Sequence, residues 1–110
     1  MSNEINPERA IQFLIDTAPK YAQAKAHRVF LEEARKSKKA SLMNSCDQTV
    51  LGKQETYAYS HPDYMELLEG LRVAVEEEEK FKWLMVAAQA RIEVWKTNQY
   101  NTRAELKALN

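Results

Sequence analysis

A repeat of alternating steps of three and four residues constrains this chain more than any other feature. Positions 64, 67, 71, 74, 78, 81, 85, 88, 92 and 95 hold Tyr, Leu, Leu, Ala, Glu, Phe, Met, Ala, Ile and Trp, so only Glu78 is neither apolar nor aromatic. More than four heptads of this spacing predict one long helix that packs along its length against other helices. At about 1.5 Å per residue the helix measures about 45 Å or more. It needs a long antiparallel partner from its own chain or a second copy.

Composition supports an all-α fold. The 110 residues, 45% of them apolar, fit one domain, and two glycines with three prolines are few for a sheet protein. No stretch approaches the roughly 20 apolar residues of a membrane span, and the first residues lack the features of a signal peptide. Cys46 is the single cysteine, which fits a reducing compartment. We therefore expect a cytoplasmic protein that has no membrane partner.

Two prolines divide the first half of the chain. Asn6 is a good N-cap and Pro7 a good first helical residue, whereas Pro19 is placed to end that helix and open the next. We predict a short N-terminal helix within 1–18, a basic helix over 19–51, the heptad helix over 62–98 and a tail over 99–110. Together they form a single helical domain, 1–110, built as a long helical hairpin in an oligomeric helical bundle.

The basic helix is predicted to pack through an apolar stripe and to end before the third helix begins. A break is expected between residues 45 and 52, because a glycine such as Gly52 costs about 1 kcal/mol relative to alanine in a helix. Residues 57–64 are predicted to be a connector in which Ser60 or His61 caps the third helix and Pro62 opens it. The stripe consists of Ala22, Ala26, Val29, Phe30, Ala40 and Met43, widened by Leu31 and Ala34.

The net charge of zero hides three blocks of alternating sign. Residues 20–53 carry eight Lys or Arg against three acids, residues 63–79 carry seven acids against one Arg, and residues 80–110 carry six Lys or Arg against two acids. Such blocks either pair with each other or present separate faces to partners.

Catalytic chemistry has little support in this sequence. His27 and His61 stand alone, no phosphate loop or zinc motif occurs, and Cys46 has no local base. The run Glu76–Glu79 spreads around the helix and is best interpreted as a solvated face. Glu78, on the repeat, either specifies register or pairs with a basic residue of the second helix. We expect no enzyme activity, no cofactor and no metal site.

A basic row on the second helix is the best candidate for a binding site. Cations three and four residues apart can track phosphates, and tyrosines downstream can stack on bases, which is the combination used for single-stranded nucleic acid. The alternative is that the cations pair with Glu76–Glu79 and the tyrosines are core. The candidate contacts are Lys25, Arg28, Arg35, Lys36, Lys38, Lys39, Lys53, Tyr57 and Tyr59.

The heptad repeat itself is a candidate oligomer interface. Trp83 lies off the repeat, so it is either covered by the first helix or exposed for a partner. The interface residues would be Tyr64, Leu67, Leu71, Phe81, Met85, Ala88, Ile92 and Trp95.

The order of these features resembles the UvsY-like recombination mediators of tailed phages. The similar run covers about 80 residues: Tyr21, the basic stretch 35–39, Met43, Lys53 with its tyrosines, and a long helix containing Phe81-Lys-Trp83 and residues 92–96. The resemblance implies a small helical oligomer of phage or prophage origin that binds single-stranded DNA. It also implies that Lys53, with Lys38 and Lys39 nearby, contacts DNA.

We therefore expect a homo-oligomeric, single-stranded-DNA-binding accessory protein of phage homologous recombination, acting in the host cytoplasm. A recombinase or a single-stranded-DNA-binding protein is a further expected partner. The first rival is a helical protein–protein module that inhibits or adapts a host enzyme, and the second is a structural virion or scaffold component.

Overall fold

Three helices make up the described part of the chain. The computed structural model describes residues 4–109 and contains α1 over Pro7–Ser45, α2 over Leu51–Ser60 and α3 over Pro62–Leu109. No strand occurs within residues 4–109, so the all-α class is confirmed. No helix in this range has a stretch that is both long and apolar enough to cross a membrane.

Local capping explains where the two long helices begin. The Asn6 side chain accepts hydrogen bonds from the backbone N–H of Glu8 at 3.0 Å and of Arg9 at 3.2 Å, with Pro7 as the first helical residue. At the start of α3, Nδ1 of His61 accepts a hydrogen bond from the backbone N–H of Asp63 at 3.1 Å. Both predicted starts are confirmed.

Three predicted boundaries are wrong. Pro19 lies inside α1, so the elements predicted over 1–18 and 19–51 are one helix. Tyr57 and Tyr59 lie within α2 rather than in a connector, and α3 continues through 98–101 to Leu109, so the predicted tail is helical as far as the structure describes it. An internal proline removes one helical hydrogen bond, yet the residues on both sides of Pro19 are helical. The break expected between 45 and 52 is confirmed.

The helices form two compact units, each described by itself. Residues 22–79 form the unit that contains the turns of the hairpin. Its core is a cluster of Leu42, Ala58 and Tyr64, with Met43 and Leu68 packed against it. Ala58 is completely buried, so α2 approaches its neighbours at a position that accommodates only a methyl group. Within this unit α1 and α3 therefore run antiparallel.

The repeat on α3 is the buried side of that helix, as predicted. All ten positions are buried or half-buried, whereas most of the residues between them are exposed. We call this row the seam. Ala74 and Glu78 are among its buried members in the unit of residues 22–79.

The predicted apolar stripe of the basic helix is wrong for five of its eight residues, whereas Leu31, Ala34 and Met43 are half-buried as predicted. Phe30 is 67% exposed, and Ala22, Ala26, Val29 and Ala40 are exposed as well. The side of α1 that packs instead carries three cations, whose aliphatic stems can lie on apolar surface while their charged ends reach water. Its buried and half-buried members, again at steps of three and four, are Ala24, Arg28, Leu31, Arg35, Lys38 and Leu42.

The other unit comprises residues 4–21 of the first helix region and 80–109 of α3. Ala10, Thr17 and Ala88 are its buried residues. An open groove of roughly 800 Å³ lies beside the two buried alanines, with Phe13 and Leu84 among its lining residues. Residues 96–109 are exposed throughout, so the last turns of α3 have no cover within this unit.

We predict that Ala58→Leu destabilises the chain by about 1–3 kcal/mol, because the added atoms must enter a fully packed position. Urea denaturation followed by circular dichroism measures this change. Ala40→Leu, at an exposed position of α1, is the matched control and should be close to neutral. Equal effects of the two substitutions would contradict the tight packing of α2.

Candidate nucleic-acid interface

The basic row lies on α1 and overlaps one edge of its packed side, which includes Arg28 and Arg35. Lys25, Arg28, Arg35 and Lys39 follow steps of three, seven and four, which keeps them on the same helical face. Glu32 occupies the gap in the row. All five residues belong to the unit of residues 22–79, so the predicted row exists as one surface.

The guanidinium of Arg28 pairs with two carboxylates. Its Nε donates to Oε2 of Glu78 and its Nη2 to Oε1 of the same side chain at 3.2 Å, while Nη1 donates to Glu32 at 2.9 Å. The Arg28 and Glu78 side chains keep 23% and 11% of their surface exposed. The hydrogen bonds to Glu78 and then Glu32 raise the pKa of Arg28 above its already high ordinary value. Arg28 is therefore permanently charged and already neutralised.

This pair decides one question that the sequence left open. Of the two roles considered for Glu78, pairing with a basic residue of the predicted second helix, now part of α1, is confirmed. The ion pair is bidentate, because two guanidinium nitrogens of Arg28 each donate to one carboxylate oxygen of Glu78. Arg28 could make the predicted phosphate contact only by giving up its bonds to Glu78 or Glu32.

Most of the remaining cations have no acidic partner. Within residues 4–109 the side chains of Lys25, Arg35, Lys38 and Lys53 have no carboxylate within 4.0 Å, whereas Lys36 pairs with Glu33 at 3.2 Å. Arg35 and Lys38 are also half-buried. Partly desolvated cations that lack a counter-charge favour an external anion.

Two acids of the block 63–79 pair with an arginine of their own helix rather than with the basic row. Glu76 pairs with Arg72 of its own helix at 3.4 Å, and Glu69 pairs with Arg72 at 2.6 Å. The hydrogen bond from Arg72 lowers the pKa of Glu69. Glu78 pairs with Arg28 of α1, so the alternative that the block neutralises the basic row applies to Arg28.

A cation–π contact between Lys39 and Tyr59 lies at one end of the row. Nζ of Lys39 lies 4.6 Å from the centre of the Tyr59 ring. The polar contact with Tyr59 raises the pKa of Lys39 above its ordinary value. Tyr59 meets the buried ring of Tyr64 edge-on, with centres 5.3 Å apart, and remains 45% exposed. The Tyr59 ring is therefore oriented by two neighbours and still accessible.

Tyr57 and Lys53 belong to a different surface. Residues two apart in a helix point about 200° away from each other, so Tyr57 and Tyr59 lie on opposite flanks of α2. Tyr57 packs edge-on against His61, with ring centres 5.6 Å apart, and Lys53 lies one turn before it on the same flank. The predicted site therefore divides into the row with Tyr59 and the separate pair of Lys53 and Tyr57. Lys36 and Lys38 lie to either side of the row.

The predicted oligomer-interface residues lie on the seam and are used for packing within the chain. Tyr64 and Ala88 are buried. The other six are half-buried in the single chain, which leaves part of their surface for another contact: Leu67, Leu71, Phe81, Met85, Ile92 and Trp95.

The sequence reasoning missed an apolar surface in the unit of residues 4–21 and 80–109. Trp83 was singled out as either covered or exposed, and the structure leaves it 60% exposed. The signal available in the sequence was a second repeat of three and four residues, which the stronger seam repeat obscured: Trp83, Ala87, Ala90 and Val94.

Comparison with known proteins adds no identification. No protein-family model matches the chain, and no curated protein or solved structure is significantly similar to it. The class that the fold and the surface define is an all-α protein that presents a basic, partly unpaired helical row. The likeness to UvsY-like mediators stays an expectation from the sequence.

We predict that Glu78→Ala lowers the Tm by about 5 °C or more, because it leaves Arg28 half-buried and facing the seam without its main acceptor. Glu77→Ala, at an exposed neighbouring position, should leave the Tm nearly unchanged. The double variant Arg28→Met with Glu78→Leu should recover the loss, since an apolar pair can replace a buried ion pair. Calorimetry of the four proteins tests this, and a double variant less stable than Glu78→Ala would contradict the pair's placement in the seam.

Proposed function

We propose that this protein binds single-stranded nucleic acid through the basic row of α1 and Tyr59, as a homo-oligomer. The observation that carries the proposal is that Arg35 and Lys25 have no carboxylate within 4.0 Å in the described chain, while Lys39 stands over an exposed tyrosine ring. Cations that lack counter-charges supply phosphate contacts, and an accessible aromatic ring supplies a surface on which a base can stack.

The spacing of the row is compatible with a nucleic-acid backbone. Arg35 and Lys39 are one turn apart, about 6 Å along the helix axis, and Lys25 lies about 15 Å before Arg35. These positions have a common face, so one strand can follow the helix. Nothing in the row is arranged to distinguish bases by paired hydrogen bonds, which favours binding without sequence preference.

The biological setting of the proposal comes from the family likeness. A UvsY-like mediator in phage homologous recombination would present single-stranded DNA to a recombinase, with a single-stranded-DNA-binding protein as a further partner. Binding by a few phosphate contacts is weak per chain and reversible, which suits a protein that hands a strand over. Action in the host cytoplasm belongs to the same proposal.

A second candidate function has its own observation. The exposed Trp83 and the open groove beside Ala88, whose lining includes Phe13 and Leu84, are typical of a helical protein–protein module, which would inhibit or adapt a host enzyme. This reading does not use the basic row, so variants in the row separate the two functions.

Fluorescence anisotropy with a labelled single-stranded oligonucleotide tests the proposal. We expect binding that weakens as salt rises, with a slope of about 2 in log Kd against log salt concentration, since three cations contribute about 0.7 each on single strands. Arg35→Gln with Lys39→Gln should raise Kd about tenfold or more at low salt and reduce the slope. Absence of salt-sensitive binding by the wild type would overturn the proposal.

The matched control is Arg103→Gln with Lys107→Gln. These residues are also an arginine and a lysine four apart on an exposed helical face, so the double variant removes the same charge with the same spacing. It should bind nearly as the wild type does. If both double variants lose affinity equally, net charge rather than the basic row is responsible. Tyr59→Leu should reduce affinity without changing the salt slope.

A further inference from the structure

A second repeat of three and four residues lies on the side of α3 away from the seam. Trp83, Ala87, Ala90 and Val94 are four, three and four residues apart and all exposed. At about 100° per residue they lie between about 100° and 160° around the helix from Ala88 of the seam. We call these four residues the outer face.

The outer face has the character of a helix–helix contact surface. No charged residue stands among its four positions, although 29% of the chain is charged. Trp83 is 60% and Val94 48% exposed. A solvated helical face normally carries polar side chains at such positions, so a continuous apolar row indicates a surface that another helix covers.

The groove adjoins the outer face and extends it. Ala87 belongs to both surfaces, and the groove continues from it past Leu84 to Phe13 of α1. Its floor includes the small buried residues Ala10 and Ala88. Alanines on the floor and on the outer face let the backbone of an approaching helix come close.

The exposed area of the whole chain favours association with a partner. The chain exposes 8596 Å², whereas a monomeric protein of 12.8 kDa typically exposes about 6,300 Å². The difference, about 2,300 Å², is summed over the whole chain and is larger than the roughly 800 Å² that each partner contributes to a stable interface of standard size. A second copy presents the same outer face, so the two apolar rows can cover each other.

We propose that the outer face pairs with the outer face of a second copy, with the two α3 helices antiparallel. This inference rests on the homo-oligomer in the proposed function, and it names the surface through which two copies pair. A two-fold axis between residues 88 and 89 puts Trp83 opposite Val94 of the second copy and Ala87 opposite Ala90. Large residues then close both ends of the contact, and small residues fill its centre.

A parallel arrangement fits the same residues less well. It would set Trp83 against Trp83 and hold the helices apart at one end, leaving a gap at the level of the alanines. It would also place Lys80 against Lys80, whereas the antiparallel register places Lys80 opposite Thr97. Size and charge therefore both favour the antiparallel pair.

Light scattering without nucleic acid tests the surface. We expect the wild type to have a mass of at least two chains, and Trp83→Glu and Ala87→Glu to weaken self-association about 30-fold or more. Gln89→Glu adds the same charge at an exposed position on the other side of α3, and it should leave the assembly intact. Since all three positions are exposed, circular dichroism should show unchanged helix content.

Disulfide cross-linking tests the direction. In a Cys46→Ser background, Lys80→Cys protein mixed with Thr97→Cys protein should form mixed disulfide dimers under mild oxidation. Like-with-like dimers should be rare, because in the antiparallel pair two copies of one position are about 25 Å apart along the axis. Like-with-like dimers in excess would overturn the antiparallel register.

The outcomes distinguish the surface from the function it serves. A monomeric wild type overturns both the outer-face pair and the assembly part of the proposed function, and leaves the surface to a different protein partner. An assembled wild type whose Trp83→Glu variant stays assembled overturns only the outer-face pair. Loss of nucleic-acid binding with assembly retained leaves the outer-face pair standing and removes the proposed function.

Discussion

The forked ion pair between Arg28 and Glu78 is the interaction on which the hairpin depends. An apolar seam with a regular repeat permits a neighbouring helix to slip by a heptad with little change in buried area. A charged residue on each side removes that freedom, because slippage in one direction leaves Glu78 facing Tyr21 and Arg28 without its carboxylate. The pair therefore disfavours the register in which Glu78 would face Tyr21, which apolar packing alone would tolerate.

The same ion pair limits what the basic row can bind. It draws one of four cations into the fold and, through Glu32, holds the middle of the row close to neutral. The ends of the row remain, with Lys25 at one and Arg35 and Lys39 at the other. Tyr59 strengthens the second end, since it fixes the Lys39 ammonium and adds an aromatic surface. On this helix face Arg28 is used within the fold, whereas Lys25, Arg35 and Lys39 are the cations of the proposed binding site.

The two long helices differ in how well their packing could be predicted. On α3 nearly every seam residue is apolar, so the repeat identified the buried side and the helix type correctly. On α1 the packed side includes Arg28, Arg35 and Lys38, whereas Phe30 is exposed. Hydropathy ranks such residues in the wrong order, because it cannot represent a long side chain that buries its stem and exposes its charge. Only the position of the partner helix decides which side of α1 packs.

The candidate site was recoverable from the sequence in part for the same reason. The helical spacing correctly grouped Lys25, Arg35 and Lys39, since periodicity survives even when the packed side is misjudged. The division between Tyr57 and Tyr59 was missed because a connector was predicted where α2 forms. A connector leaves neighbouring tyrosines free to meet one ligand, whereas a helix separates them by about 200°.

Assembly and binding depend on each other in this interpretation. Three phosphate contacts per chain give little affinity at physiological salt, because each contact contributes a small and strongly screened term. Joining copies through surfaces that leave the basic row untouched makes later contacts with one strand intramolecular, and their effective concentration then raises the affinity without any new contact. A chain with zero net charge can bind a polyanion under these conditions for two reasons. Its copies repel each other only weakly, and each copy in the assembly adds another short unpaired basic row for the same strand.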